Sequence, residues 1–377
     1  MAINTHKKVL FFIFTFVNLI VIFGFNKYPE NQYNNKCEDT TSKFVTFVFA
    51  GDIMGHMPQL QAAFQKDSDN YDFTPCFTYL KPYIQSADVA VANLEVPLAG
   101  KPYSGYPNFS SPDALLYAAA NAGFDVFLLA NNHVVDKGKQ GTMSTINTVS
   151  KKVLFAGAYL DVAHRDSLYP LIIEVKGLKV AILNCTYGTN GIAVPAPIIV
   201  NTIDTTQIIK DVHTAKDRGA EFIFMTIHWG NEYELIANDT QVKLAAYFAK
   251  IGINAIIGSH PHVVQNFDYH YSSDSTRVPV FYSLGNMVSN QRKRYTDGGI
   301  LAKITIDPKT RQIYKCSYQP FYVHKGELNG LFQYHLIPTT RYISDSTFLS
   351  LPIEADSLLR VFDRDTRTRL YNVNRDN

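Results

Sequence analysis

Residues 255–262 read Ala-Ile-Ile-Gly-Ser-His-Pro-His. The apolar half, with Asn254 before it, has the make-up of a buried strand, and the polar half begins where such a strand ends. Proline pushes the residue before it toward extended geometry, and in extended chain residues i and i+2 point to one side. His260 and His262 are therefore expected to face one crevice, at a spacing that suits ligands of two neighbouring cations.

Four other apolar runs end in the same manner. FVTFVFA at 44–50 is followed by Gly51-Asp52, and VAVA at 89–92 by Asn93-Leu94-Glu95. FLLA at 127–130 leads into Asn131-Asn132-His133, and FIFMTI at 222–227 into His228-Trp229-Gly230. In open α/β folds ligands bind beyond the carboxyl ends of strands, where loops converge on one crevice. Taken singly, such an Asp is a turn residue, such a Glu is solvated and such a His belongs to the core. Five metal-competent strand ends in one chain predict a shared site instead. Carboxylate, amide and imidazole donors without thiolate favour Mn²⁺, Zn²⁺ or Fe over a structural zinc.

Around these runs, strand-like and helix-like segments alternate. Helices are predicted over Thr74–Ser86, Pro112–Ala122, from a cap at Asp136 to about Ser150, Asp204–Arg218 and Thr240–Ile251, with Gly219 and Gly252 as stops. Strands are predicted over Asp88–Ala92, Asp125–Leu129, Glu221–Ile227, Val278–Tyr282, Gly299–Ile306 and Gln312–Gln319, with a hairpin joining Leu171–Val175 to Lys179–Asn184. The expectation is an α/β fold of sheet packed on sheet with helices outside. Beyond Thr340 periodicity fades into a charged tail, 341–377, with a peripheral helix over Glu354–Phe362 and loose residues after it.

The 377 residues are 46% hydrophobic and 18% charged, with a formal net charge of +2, which gives no electrostatic case for a nucleic-acid partner. The run Arg292-Lys293-Arg294 is too short to alter that and reads as a solvated loop. At the N-terminus Lys7 and Lys8 precede an apolar run, Val9–Phe25, that spans roughly 26 Å as a helix. No small-x-small cleavage pattern follows it. Residues 1–25 are read as a signal anchor in preference to a cleaved signal peptide, 26–41 as a linker, and 42–340 as a domain facing outward from the cytoplasmic membrane. Cleavage would instead release it to the periplasm. The four cysteines hold no C-x-x-C pair, and Cys185 falls in an apolar run that suits a buried thiol.

GDIM, NLE, NNHVVDKGKQG, TYGTNG, HWGNEYE, GSHPHVVQ and YSLGNM, in that order over roughly 44–306, together resemble the capsule synthesis protein CapA family, associated with poly-γ-glutamate. That family is similar to the calcineurin-like metallophosphoesterases, which implies a four-layer α/β/β/α sandwich and two divalent metals. By this resemblance Asp52 holds the first metal with His262, Glu95 stands at the bridging position, and Asn132, His228 and His260 hold the second. His133 becomes the acid that protonates the leaving group. The phosphoesterase pattern has a histidine two residues after the first aspartate, where this chain has Met54. The departure predicts a weak or empty metal site, and nothing in the sequence shows His56 substituting. Glu232, Tyr233, Tyr187, Asn190 and Asn286 are candidate substrate contacts, with a solvent-facing loop the alternative for Glu232 and Tyr233 and a turn-stabilising amide the favoured one for Asn286; 186–200 is a cover over the crevice or a connecting loop. The implied partners are an anionic polymer such as poly-γ-glutamate and membrane-bound capsule synthesis proteins. Three roles follow: a metal-dependent hydrolase of phosphoester or amide bonds, a non-catalytic polymer-binding accessory, or a plain periplasmic phosphatase.

Overall fold

The computed structural model describes residues 43–375. The predicted anchor, the linker and Cys37 lie outside the described residues. No helix among the described residues is long and apolar enough to cross a membrane.

The segment FVTFVFA becomes the strand Val45–Ile53, buried along nearly its whole length, as expected of a strand covered on both faces. It lies at the centre of a nine-stranded sheet. On one side it runs parallel to Val89–Leu94, which is followed by Val126–Leu128 and Leu154–Ala156, also parallel. On the other side antiparallel strands Gly298–Asp307, Gln312–Leu328 and Leu331–Pro338 extend the sheet. A second sheet of six strands has Phe222–His228 and Ala255–Ser259 at its centre, parallel to each other. Leu178–Thr186 and Arg277–Phe281 flank them in parallel, and Leu171–Val175 and Phe267–Tyr271 close the edges in antiparallel fashion.

The sheets meet through aromatic rings. Phe224 of the second sheet lies 4.9 Å from Phe47 and 4.8 Å from Phe49 of the first, centroid to centroid. The fold is therefore α/β with sheet packed on sheet. Helices Gly138–Ser150 and Ile353–Arg369 lie against the first sheet, and Asp239–Ile251 against the second.

Local signals fix several helix ends. Asp204 accepts hydrogen bonds from the backbone N–H groups of Thr206 and Gln207 and starts the helix Thr205–Asp217. Asn238 and Gln241 form a capping box for helix 239–251, and Gly252 stops it at φ 103°. Three expectations fail. The single helix over 74–86 is two short ones, Thr74–Phe77 and Lys81–Gln85. Asp136 caps nothing; its carboxylate turns back to accept from the Phe109 N–H and to meet His133. The tail helix extends over Ile353–Arg369, with Leu359, Phe362 and Thr366 buried, and Asp363 accepting from the Thr339 hydroxyl. Its charged face hid an apolar stripe at helical spacing. Cys76, Cys185 and Cys316 are free and buried.

Phe224 bridges both sheets, so Phe224→Ala should cost about 3–5 kcal/mol through lost burial and the cavity left behind. Urea unfolding followed by the fluorescence of Trp229, the only tryptophan, measures it. A loss under about 1 kcal/mol would mean that the sheets do not depend on this contact.

Candidate metal centre

The parallel strands of both sheets end at one place. Register sets Asp52 opposite Asn93 and Asn286 in the first sheet, and His228 opposite Ser259 in the second. Close backbone approach makes this convergence feasible. A Cβ on Gly51 would overlap the Gly285 carbonyl oxygen, and one on Gly258 the Tyr282 carbonyl oxygen.

Asp52, Glu95, Asn132, His133, His228, His260 and His262, drawn from five segments, gather there and are all buried. His228 Nε2 lies 3.0 Å from Asn132 Oδ1 and 3.4 Å from Glu95 Oε1. His262 Nδ1 lies 3.3 Å from Asp52 Oδ2, and its Nε2 3.9 Å from Glu95 Oε1. The backbone N–H of His260 donates to Asp52 Oδ2 at 3.2 Å. Two ligand triads form, Asp52–Glu95–His262 and Glu95–His228–His260, each with ligand atoms within 4.8 Å of one another. Glu95 belongs to both.

The donor atoms fit divalent cations. Ligands bound at about 2.0–2.2 Å around one tetrahedral ion sit roughly 3.5 Å apart, close to the spacings seen here. Both carboxylate oxygens of Glu95 and Nδ1 of His260 are buried without a hydrogen-bond partner. Buried polar atoms are nearly always satisfied, so these orphaned atoms are open to a cation. The remaining ring nitrogens are engaged as metal-binding histidines require. Ser259 Oγ meets His228 Nδ1 at 2.9 Å, and Asn286 Oδ1 meets His262 Nδ1 at 3.1 Å, which leaves both Nε2 atoms turned to the cluster.

Convergence of the two histidines does not come from extended backbone. His260 has φ 100° and His262 φ 58°, both left-handed. The proline rule favours extended geometry before Pro261, and the surrounding structure overrides that local preference at His260. Met54 is buried in the core, with its N–H donating to Val288 O. His56 begins the helix Met57–Ala63, its Nδ1 3.1 Å from Gln59 Oε1 and 3.3 Å from the Asn290 N–H. It joins neither triad.

Of the other candidates, Tyr187 lies tilted 4.6 Å from the His260 ring and stacks on His228 at 6.3 Å, and Asn190 Oδ1 accepts from the Asn132 amide. Tyr233 lies 6.2 Å from the His262 ring, half exposed, and Glu232 is exposed beside both histidines. Asn286 acts as a structural amide and not as a substrate contact: it donates to the His262 carbonyl, Gln291 and the Thr296 carbonyl. It orients His262 and has no hydrogen left for a substrate. Sequence reading passed over Asn93, whose amide donates to Asp52 Oδ1 at 2.7 Å and lies 3.3 Å from His228 Nδ1. It also overlooked Asp136 as the orienter of His133, 2.8 Å from Nδ1. Asn93 stands in the same NLE tripeptide as Glu95, which was the available signal.

The profile of the family described as bacterial capsule synthesis protein PGA_cap matches residues 46–291 and so spans every one of these groups. The chain belongs to this family. Two PGA_cap-like relatives are similar along most of it. The capsule biosynthesis protein CapA of Bacillus anthracis is 29% identical over 66% of this chain and 60% of its own length. The PGA biosynthesis protein CapA of Bacillus subtilis is 28% identical over 64% of this chain and 63% of its own. The chain thus spans less than two thirds of the relatives it matches. Among solved structures, Haemophilus influenzae NAD nucleotidase aligns with TM-score 0.49 at 14% identity, over 88% of this chain and 64% of that one. A putative 5'-nucleotidase from Staphylococcus aureus aligns with TM-score 0.45 at 14% identity, over 85% and 58%.

Charge in this PGA_cap site is unevenly held. Burial raises the Asp52 pKa, but the hydrogen bond and charge of His262 outweigh it and hold the group at about 2. Burial, then the neighbouring Asp52 charge, push Glu95 well above the ordinary carboxylate range. Burial lowers His262, yet Glu95 and Asp52 raise it to about 9. Burial lowers His228 to about 3 and, with the other imidazoles, His260 to about 2. Neutral imidazoles are the ligand form, so both rings are ready to bind a cation at neutral pH.

These shifts set the acid stability of the chelator-treated protein. Below pH 4.5 the unfolded chain increasingly protonates Glu95, as the folded chain already does, so its opposing contribution fades. Between pH 4.5 and 3 the unfolded chain keeps protons on His228 and His260 that the folded rings refuse, and it begins to protonate Asp52. The unfolded state binds more protons, so stability rises with pH and falls with acid. Melting temperature should drop across this window, and His228→Gln should make the slope shallower. An unchanged slope in that variant would contradict the buried neutral imidazole.

Proposed function

We propose that this chain serves bacterial capsule synthesis as a divalent-metal-dependent hydrolase outside the cytoplasmic membrane, acting on poly-γ-glutamate or a phosphorylated precursor. The observation that carries the reading is Glu95: a buried carboxylate with both oxygens unsatisfied, shared by two ligand triads. An uncompensated buried charge costs several kcal/mol, and cations held between the triads remove that cost. Asp52, Glu95 and His262 would hold one ion, and Glu95, Asn132, His228 and His260 the other. A divalent ion such as Mn²⁺, Zn²⁺ or Fe held by these residues would supply Lewis-acid chemistry, making a water more acidic and polarising the bond to be cut.

The chain's own residues supply the rest. Asp136 engages His133 Nδ1, which fixes the ring and leaves Nε2 to pass a proton to a leaving group. The ring is held further by an edge contact with Phe109 at 4.8 Å. Burial lowers the His133 pKa, but Asp136 and Glu95 raise it overall, which favours the protonated imidazole an acid requires. Tyr187, Asn190 and Tyr233 border the mouth as substrate contacts. The N-terminal segment would tether the domain beside membrane-bound capsule synthesis proteins.

Purified full-length protein should hydrolyse poly-γ-glutamate or a phosphoester, and chelation should abolish turnover until metal is restored. His133→Ala should lower kcat by roughly 10²–10⁴-fold without loss of bound metal. His228→Ala should lose metal and activity together. Polymer binding without turnover, unaffected by His133→Ala, would assign a non-catalytic accessory instead.

A further inference from the structure

The triad Asp52–Glu95–His262 brings three protein ligands to its ion, and the neighbouring Met54 offers only a soft thioether, unsuited to this oxygen and nitrogen set. A third group of ligand atoms lies beside it. A carboxylate oxygen of Glu232 and one ring nitrogen each of His260 and His262 fall within 4.8 Å of one another. His262 thus belongs both to the triad lacking a fourth ligand and to the group that contains Glu232. His260, nine-tenths buried and with Nδ1 unpartnered, joins the Glu232 group to the other ion's triad.

We propose that Glu232 is the replacement ligand of the first metal, closing from the exposed rim the site that Met54 leaves incomplete. The inference rests on the two-metal reading above and deepens it. A tetrahedral ion takes four ligands; the triad supplies three, and Glu232 approaches it through His262, the one residue its own group shares with that triad. The local backbone holds Glu232 in place: the N–H of Tyr233, at φ 69°, donates to Pro261 O at 2.8 Å, tying this loop to the peptide between the two histidines. The chemistry also accounts for an acidic side chain in this position. A free carboxylate at the mouth would repel an anionic polymer or phosphate, whereas a metal-bound one has its charge neutralised. The ligand set differs from a buried cage in one functional respect. Glu232 is exposed, so it would be the ligand most readily exchanged for a substrate group.

The test measures metal as well as turnover, on full-length protein in detergent with Mn²⁺ as probe. Equilibrium dialysis should give two ions per wild-type chain. Glu232→Gln should keep one tightly held ion and weaken the other at least about 10-fold, the lower end of the loss seen when even an outer-shell partner is removed. Glu232→His, which restores a donor, should recover the second ion. The electron paramagnetic resonance spectrum should change from that of a coupled manganese pair to that of a single ion in Glu232→Gln alone. Two ions held with unchanged affinity in Glu232→Gln would overturn the assignment and leave the hydrolase reading standing. Loss of both ions together would also overturn it, since the residue would then not be specific to one site. A wild-type chain that binds no metal would instead remove the two-metal reading itself.

Discussion

Everything at the site depends on how two buried carboxylates are neutralised. Asp52 and Glu95 lie in the same ligand triad at the ends of adjacent parallel strands, and neither is reached by a lysine or arginine in the described residues. Without cations one proton sits on His262 and Glu95 is driven toward its neutral form. The imidazoles of His228 and His260 stay uncharged, since burial prevents them from taking up the compensating charge. Such an arrangement is poor as a salt-bridge network and well suited to chelation.

The scaffold makes this arrangement rigid by placing it on strand ends and supporting each ring from behind. Asn93 ties Asp52 to His228 across the two sheets, Ser259 and Asn286 engage the far nitrogens of two histidines, and Asp136 engages that of His133. The left-handed backbone at His260 and His262 costs on the order of 1–3 kcal/mol per residue. Strand 255–259 on one side and the Tyr233–Pro261 hydrogen bond on the other hold it there. The exposed groups, Tyr187, Tyr233 and Glu232, come from loops, where adjustment to a substrate is easiest.

Much of the fold was legible because its signals are local. Runs of Val, Ile and Phe bounded by polar residues are strands wherever they fall, and Asp204, Gly252 and the Pro112 helix start act through neighbouring peptide groups. Less was legible where chain continuity was interrupted or extended by packing. Strand 312–328 runs on past Gln319 because 331–338 pairs with it, and the helix over 353–369 persists because its apolar side covers strand 312–328.

The amino-acid sequence by itself determined the parts: five apolar strands, each ending in a side chain able to bind a cation, and the absence of a ligand at Met54. Only the tertiary structure decided how those parts combine. It made Glu95 common to two triads, turned Asn286 and Asp136 into supports for histidines, and carried Glu232 to the rim beside His260 and His262. The physical reason is range. A strand's polarity and a proline's preference are settled within a few residues, whereas the spacing of donors from separate segments depends on how two sheets stack and where their ends meet.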